Sequence, residues 1–378
     1  MKIIVCPDSF KGAVSSLEAG KAIKQGLRRL LPDARIIVIP VADGGEGTVE
    51  ALLFRYKGKK RYINVLGPLK KPVRAWYAIA GKTAMIEMAV ASGLPLLSQK
   101  ERNPLRTSTF GTGMLIRDAI QQGANNILIG VGGSATVDGG MGMAEALGVK
   151  FLNIRGEIIQ GCGGTLKDIA DIDDSSLLSS LKKVRITVLS DVKNPLTGPN
   201  GAAAIFGPQK GATPEMVERL DTGLLHFSKV VARIRKINIA ALPGSGAAGG
   251  VAAGLMAFCD ARITDGAEFI LKEIGFSTLL QDASLVITGE GRIDSQTSFG
   301  KIALAVAKHA KKAEVPVIAF CGEKRGSMTS LHRNGLSAVI SILPGPLTLS
   351  DAMKHTSLYL RETAETLGRI LKIQWKTF

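Results

Sequence analysis

Four times in this chain an apolar run opens directly onto a short segment carrying a carboxylate: Asp8, Asp43, Asp191 and Glu290. Glycines or basic residues follow closely, as in Asp8-Ser9-Phe10-Lys11-Gly12 and Glu290-Gly291-Arg292-Ile293-Asp294. Lys11, Lys193 and Arg292 each lie within three residues of one of those acids. Like charges in a common site oppose one another's ionisation, so a set of acids calls for cations among them. Metal-bound phosphate meets that need, because Mg2+ takes one or two carboxylates plus phosphate oxygens, while the basic side chains hold further negative charge. The chemistry that fits is phosphoryl transfer, which needs positioning, charge stabilisation and a carboxylate to orient or deprotonate the attacking hydroxyl. Taken singly, each acid also reads as a helix N-cap, Asp43 and Asp138 most of all.

A glycine-rich stretch, Asn126 to Gly142 (NILIGVGGSATVDGGMG), is the second chemical feature. Its short apolar run bounded by glycines reads as a strand buried on both faces, emptying through Gly132, Gly133, Ser134 and Asp138 into a helix start. Free N–H groups of a first helical turn, with the positive end of the helix dipole, suit a phosphate. Similar loops recur at 198–211 and at Gly244-Ser245-Gly246-Ala247-Ala248-Gly249-Gly250. The four histidines, His226, His309, His332 and His355, fall in helical or polar segments, which argues against a Ser/His/Asp triad.

The elements that must position these residues alternate as strand and helix. Strands are expected at Lys2 to Cys6 and Arg35 to Ile39, with a helix capped at Ser15 or Ser16 between them and ended by Pro32. From Arg61 the rhythm changes to hairpins around Gly67-Pro68 and Gly81-Lys82. Alternation returns at Leu285 to Thr288, with further strands over 315–320 and 337–342 and helices over 301–312, 327–333 and 349–373. The fold class is therefore α/β: a Rossmann-like parallel α/β/α domain, discontinuous over 1–65 and 284–378, with an inserted α/β domain over 66–283 containing a mixed sheet. Ligands of such sheets bind outside the carboxyl ends of the strands.

At 378 residues the chain is too long for one typical core. Its formal charge of +16 comes from basic residues spread along helix faces without interleaved aromatics, a solvated pattern rather than a nucleic-acid footprint. Cys6, Cys162, Cys259 and Cys321 show no metal-type spacing and read as reduced thiols of a cytoplasmic protein. No secretory leader is expected, since Asp8 and Lys11 interrupt the first apolar segment. The uncharged 239–259 stretch contains Pro243 and five glycines, which argues against a membrane span.

Common nucleotide motifs fit poorly. Gly130-x-Gly132-x-x-Ala135 matches a dinucleotide fingerprint, yet the place of its partner acid holds the Arg155-Gly156 turn. Gly244 to Gly249 matches too, but Pro243 breaks any strand leading into it. Gly81-Lys82-Thr83 resembles the end of a Walker A loop, with Trp76 where its first glycine belongs. A nicotinamide-dependent hydroxy-acid oxidoreductase and a non-enzymatic anion-binding module are the alternative readings these features and the net charge support.

Six segments together, 8–12, 43–48, 130–140, Ser190-Asp191-Val192-Lys193-Asn194-Pro195-Leu196, 243–250 and 287–294, resemble the type I glycerate kinases, in family order and without a broken motif. The resemblance implies two α/β domains, ATP and Mg2+ as donor, D-glycerate as acceptor and phosphoglycerate as product, the 2-phosphate expected ahead of the 3-phosphate. It implies no nucleic-acid or membrane partner, with a homodimer among the open oligomeric states. On this reading Gly132, Gly133, Ser134, Gly244, Gly246 and Gly249 hold the triphosphate through backbone N–H groups. Asp191 or Glu290 holds Mg2+, and Asp43 or Asp294 receives the hydroxyl proton. Asp8 belongs to the substrate site, where Lys11, Lys193 and Arg292 bind the glycerate carboxylate or the moving phosphoryl group. Arg292 is the first choice for the carboxylate because a guanidinium matches its planar fork.

Overall fold

A computed structural model describes residues 1–294 and 301–373. The chain divides into two units, one made of Met1–Asp43, Glu50–Arg55 and the chain from Ala267 onward, the other of Gly44–Val49 and Tyr56–Gly266.

The first unit is built on a five-stranded, wholly parallel sheet in the order Ala338–Ser341, Val317–Arg325, Leu285–Asp294, Lys2–Val5, Arg35–Val38. Ile3, Ile4, Val5, Val286 and Ile287 are fully buried, as the contiguous apolar runs of a sheet covered on both faces require. Ser15 caps the Ser16–Leu30 helix through a capping box, its hydroxyl accepting from the Glu18 amide at 3.3 Å while Glu18 accepts from the Ser15 amide at 2.9 Å. That helix packs on Thr356–Leu371 so closely that a Cβ on Gly26 would lie 2.2 Å from the Arg361 carbonyl oxygen. Two strands run further than the sequence pattern suggests. Leu285–Asp294 carries Glu290, Arg292 and Asp294 in extended backbone, paired to residues 321–325 of its neighbour. Glu290 thus stands within a strand and not in a loop after one, because residues about thirty positions away supply the pairing.

The second unit holds a six-stranded mixed sheet, Arg262–Thr264, Arg185–Leu189, Asn126–Gly130, Thr83–Glu87, Pro72–Ala80, Lys59–Leu66, in which the first four strands are parallel and the last two antiparallel. Lys59–Leu66 is an edge strand of this sheet, and Gly266–Glu273 and Phe276–Leu279 are helices before the Leu285 strand. The observed division therefore falls near 56 and 266, where the sequence pattern put it near 65 and 284. A small antiparallel sheet, Ile158–Ile159, Lys150–Leu152, Asp171–Asp173, completes the strands. Phe151, Phe227 and Phe258 pack as a ring cluster at centroid distances of 5.9–6.5 Å, joining that sheet to the Pro214–Arg235 and Ala247–Cys259 helices. Ala247–Cys259 is almost entirely buried, which explains why its 239–259 surroundings lack charge. Among the described residues no helix is long and apolar enough to cross a membrane. All four cysteines are free thiols, with Cys6, Cys259 and Cys321 buried.

Candidate functional site

In the first unit, four of the sequence-selected residues meet at one cavity of about 690 Å³: Asp8, Lys11, Glu290 and Arg292. Asp8 is placed by the sheet, its amide donating to the Gly289 carbonyl at 2.7 Å, so the segment after Lys2–Val5 runs alongside the Leu285–Asp294 strand. Its carboxylate accepts from the Ser9 amide at 2.7 Å and is only 7 % exposed. Ser9, which the sequence pattern does not single out, lines the same cavity; its buried hydroxyl has no hydrogen-bond partner among the described residues. Lys11 is exposed. Arg292 donates through Nε to Glu323 Oε2 at 2.6 Å, and Arg325 pairs with the same carboxylate. Arg325 and Arg292 hold Glu323 below the ordinary carboxylate range. Asp43 and Asp294, both half-buried in this unit, are not among the residues facing the cavity.

The second unit brings together the other motifs. Gly44 and Gly45 lie against the ends of two strands: a Cβ on Gly44 would be 2.4 Å from the Leu189 carbonyl, and one on Gly132 would be 2.5 Å from the Gly45 Cα. The Gly132 amide donates to the Gly44 carbonyl at 3.1 Å. Glu87, buried at the end of its strand and also missed from sequence, accepts from the Val49 amide at 2.8 Å. Asp191 and Lys193 follow the Arg185–Leu189 strand, Asp191 half-buried and Lys193 exposed. The Gly246 amide donates to Asn194 at 3.0 Å, the Gly139 amide to Gly249 at 3.0 Å, and Gly249 presses on Thr136, whose carbonyl a Cβ would approach to 2.0 Å. Ala248, Gly249 and Gly250 all take the left-handed conformation to allow this. A Cβ on Gly244 would stand 3.0 Å from the Val192 carbonyl.

These contacts correct the anion-loop expectation in part. Gly132 and Gly246 spend their N–H groups on backbone carbonyls, so neither amide is offered to a phosphate. The helix start fails as an anion site for a similar reason. Asp138 accepts from the amides of Thr109, Gly140 and Gly142 and from the Thr109 hydroxyl at 2.7–3.2 Å, and the Met143 amide donates to the same threonine. Burial raises the Asp138 pKa against these four donors. Gly133, with a left-handed φ of 74°, is the exposed residue of the turn. Ser134 is buried and accepts from Lys210 Nζ at 2.8 Å; the same ammonium donates to the Thr136 carbonyl at 2.7 Å. Burial lowers the Lys210 pKa to about 7, with the Asp138 charge opposing. Nothing local in the sequence marks Lys210, because its burial comes from segments more than seventy residues away.

Mg2+ held with phosphate takes few protein ligands, and the cavity is lined by three carboxylates, Asp8, Glu290 and Glu323, the last paired with Arg292 and Arg325; Asp8 and Glu290 are a donor set of the right kind. Among the described residues there is no group of three or more His, Cys, Asp and Glu side chains that could hold a metal ion by themselves.

Comparison with known proteins agrees along the whole chain. The profile described as the glycerate kinase family matches residues 3–372. A glycerate kinase of Bacillus subtilis is 46% identical over 375 residues, 99% of this chain and 98% of the relative. A glycerate 2-kinase of Escherichia coli is 46% identical over 356 residues, 94% and 93% of the two chains. A crystal structure of a candidate glycerate kinase 2 from Salmonella typhimurium LT2 superposes with a TM-score of 0.84 at 46% identity, covering 98% of each chain. With the parallel and mixed sheets, the matched motifs and relatives alike over nearly their full length, the chain belongs to the glycerate kinase family.

Proposed function

We propose that this enzyme transfers the γ-phosphoryl group of ATP to D-glycerate, forming 2-phosphoglycerate, in the cytoplasm. The observation that carries the reading is the convergence of Asp8, Lys11, Glu290 and Arg292 on one cavity from segments some 280 residues apart in the chain. Lys11 and Arg292 supply the positive charge that a carboxylate or a moving phosphoryl group needs. For Arg292 this means sharing or displacing Glu323, so the pair sets its guanidinium in place before substrate arrives. Glu290 or Asp191 would hold Mg2+, which when bound neutralises charge on the phosphates. Asp43 or Asp294 is the carboxylate to receive the hydroxyl proton, and Lys193 adds positive charge. In the second unit Gly133 and Ser134, with Gly244 and Gly249, remain the proposed phosphate contacts, now without the amides of Gly132 and Gly246. The relative named a glycerate 2-kinase supports the 2-phosphate as product.

The test is a coupled assay with D-glycerate and Mg-ATP in which the product is resolved as the 2- or the 3-phosphate. Formation of 2-phosphoglycerate is expected. The 3-phosphate alone would overturn the regiochemistry, and turnover with NADH-linked substrates but not with ATP would overturn the kinase reading itself.

A further inference from the structure

We infer that the cavity of the first unit seats the purine and ribose of the phosphoryl donor, against an aliphatic wall that the chemistry above leaves unused. The inference rests on the kinase reading and assigns the nucleoside to a place no motif indicates. Size is the first argument. A volume of about 690 Å³ lies in the range of pockets for drug-sized ligands, and a three-carbon acid would leave most of it empty.

The lining is the second. Beside the charged group, the cavity is bounded by Ile342, Leu343, Leu347, Leu349, Ala352 and Met353, from the segment after the Ala338–Ser341 strand and the short Leu349–Lys354 helix. Leu349 is 76 % exposed and Leu347 43 % exposed, so the protein does not cover its own wall. Contiguous exposed apolar side chains at a groove mark a surface meant to be covered. Two cations among the charged lining residues, together with an apolar wall, match a nucleoside phosphate, with the base on the leucines and the moving phosphoryl group toward Lys11 and Arg292. Gly291 leaves open space in the lining, since a Cβ there would find nothing nearer than the Phe10 Cα at 3.9 Å. Ser9 supplies the third argument. The residue is 95 % buried and its hydroxyl is buried in this lining without a partner among the described residues, a costly state that a ribose or phosphate oxygen would relieve.

The experiment is the double variant Leu347→Asp/Leu349→Asp, chosen because both side chains are exposed and the fold does not depend on them; an unchanged Tm checks this. KM for Mg-ATP should rise about ten-fold, the equivalent of about 1.4 kcal/mol, with KM for D-glycerate within about two-fold of wild type. Equilibrium dialysis with labelled ADP, which needs no turnover, should show the same loss of affinity. Ser9→Ala should raise KM for Mg-ATP without lowering Tm. If wild type and double variant hold ADP equally, or if KM for glycerate rises in place of KM for ATP, the assignment is overturned. Absence of phosphoglycerate formation by wild type, with ADP still bound and released by the variant, would instead remove the kinase reading and leave the nucleoside site standing.

Discussion

Replacing Lys210 by Met removes a deeply buried cation of the second unit, and with it a measurable pH dependence. Lys210 is 2 % exposed, and among the described residues its ammonium donates to Ser134 Oγ and the Thr136 carbonyl, with the Asp138 charge acting on it as well. Its pKa falls from 10.5 to about 7 on burial, whereas the unfolded chain keeps the ordinary value. Between these two values the unfolded chain binds a proton that the folded chain does not. Stability contributed by this site therefore rises with pH from about 7 to 10.5 and is flat below, where both states are charged. At 1.36 kcal/mol per pKa unit the whole rise is roughly 5 kcal/mol. Met removes the titration but also leaves the Thr136 carbonyl unpartnered, costing about 1–3 kcal/mol at every pH. The two effects have opposite sign near neutrality, so the curves should cross: the variant roughly 2–4 kcal/mol more stable at low pH and about 1–3 kcal/mol less stable at high pH. Guanidinium unfolding followed by circular dichroism, at intervals across that range, gives both curves. Parallel curves would refute the reasoning, because they would mean that Lys210 keeps its proton in the fold and that burial is not the controlling cost.

Gly26→Ala should destabilise the first unit by about 1–3 kcal/mol through overpacking, since the new methyl would press on the backbone oxygen of Arg361; an equal or higher Tm would show that the helices part freely. Asp138→Asn puts an amide donor where four donors already point, and a loss of roughly 3 kcal/mol is expected in the denaturant midpoint. A wild-type midpoint would show that the turn is held elsewhere. Asp191→Asn should lower kcat on the order of a hundred-fold or more with the unfolding midpoint unchanged, and wild-type turnover would remove Asp191 from the site.

The strands were readable in sequence because burial on both faces demands contiguous apolar residues, as in Lys2–Val5 and Asn126–Gly130. The hairpins at Gly67 and Gly81 were readable from their turn residues. What escaped was whatever distant parts of the chain decide. The glycine loops carry the same letters whether their amides face a ligand or another backbone, and the Gly44–Gly132 and Asn194–Gly246 bonds become visible only in three dimensions. Glu290–Asp294 looks like a loop until residues 321–325 pair with it. Lys210 and Ser9 are ordinary polar residues locally, and their burial is a property of the packed fold. The 22-residue Pro214–Arg235 helix, not expected from the sequence above, carries a readable start signal, a threonine cap followed by proline at its first position.

Lys2–Val5 lies between Arg35–Val38 and Leu285–Asp294, one neighbour close in the chain and the other some 280 residues later. A ribosome adding roughly 5–20 residues per second delivers the later strand some ten to fifty seconds after the earlier pair. Throughout that interval the nascent protein carries an apolar strand with an open hydrogen-bonding edge, the kind of surface that recruits foreign strands. Premature termination anywhere before 285 would make the condition permanent. Truncated products of this chain should therefore be chaperone clients and aggregate, even when their second unit has folded.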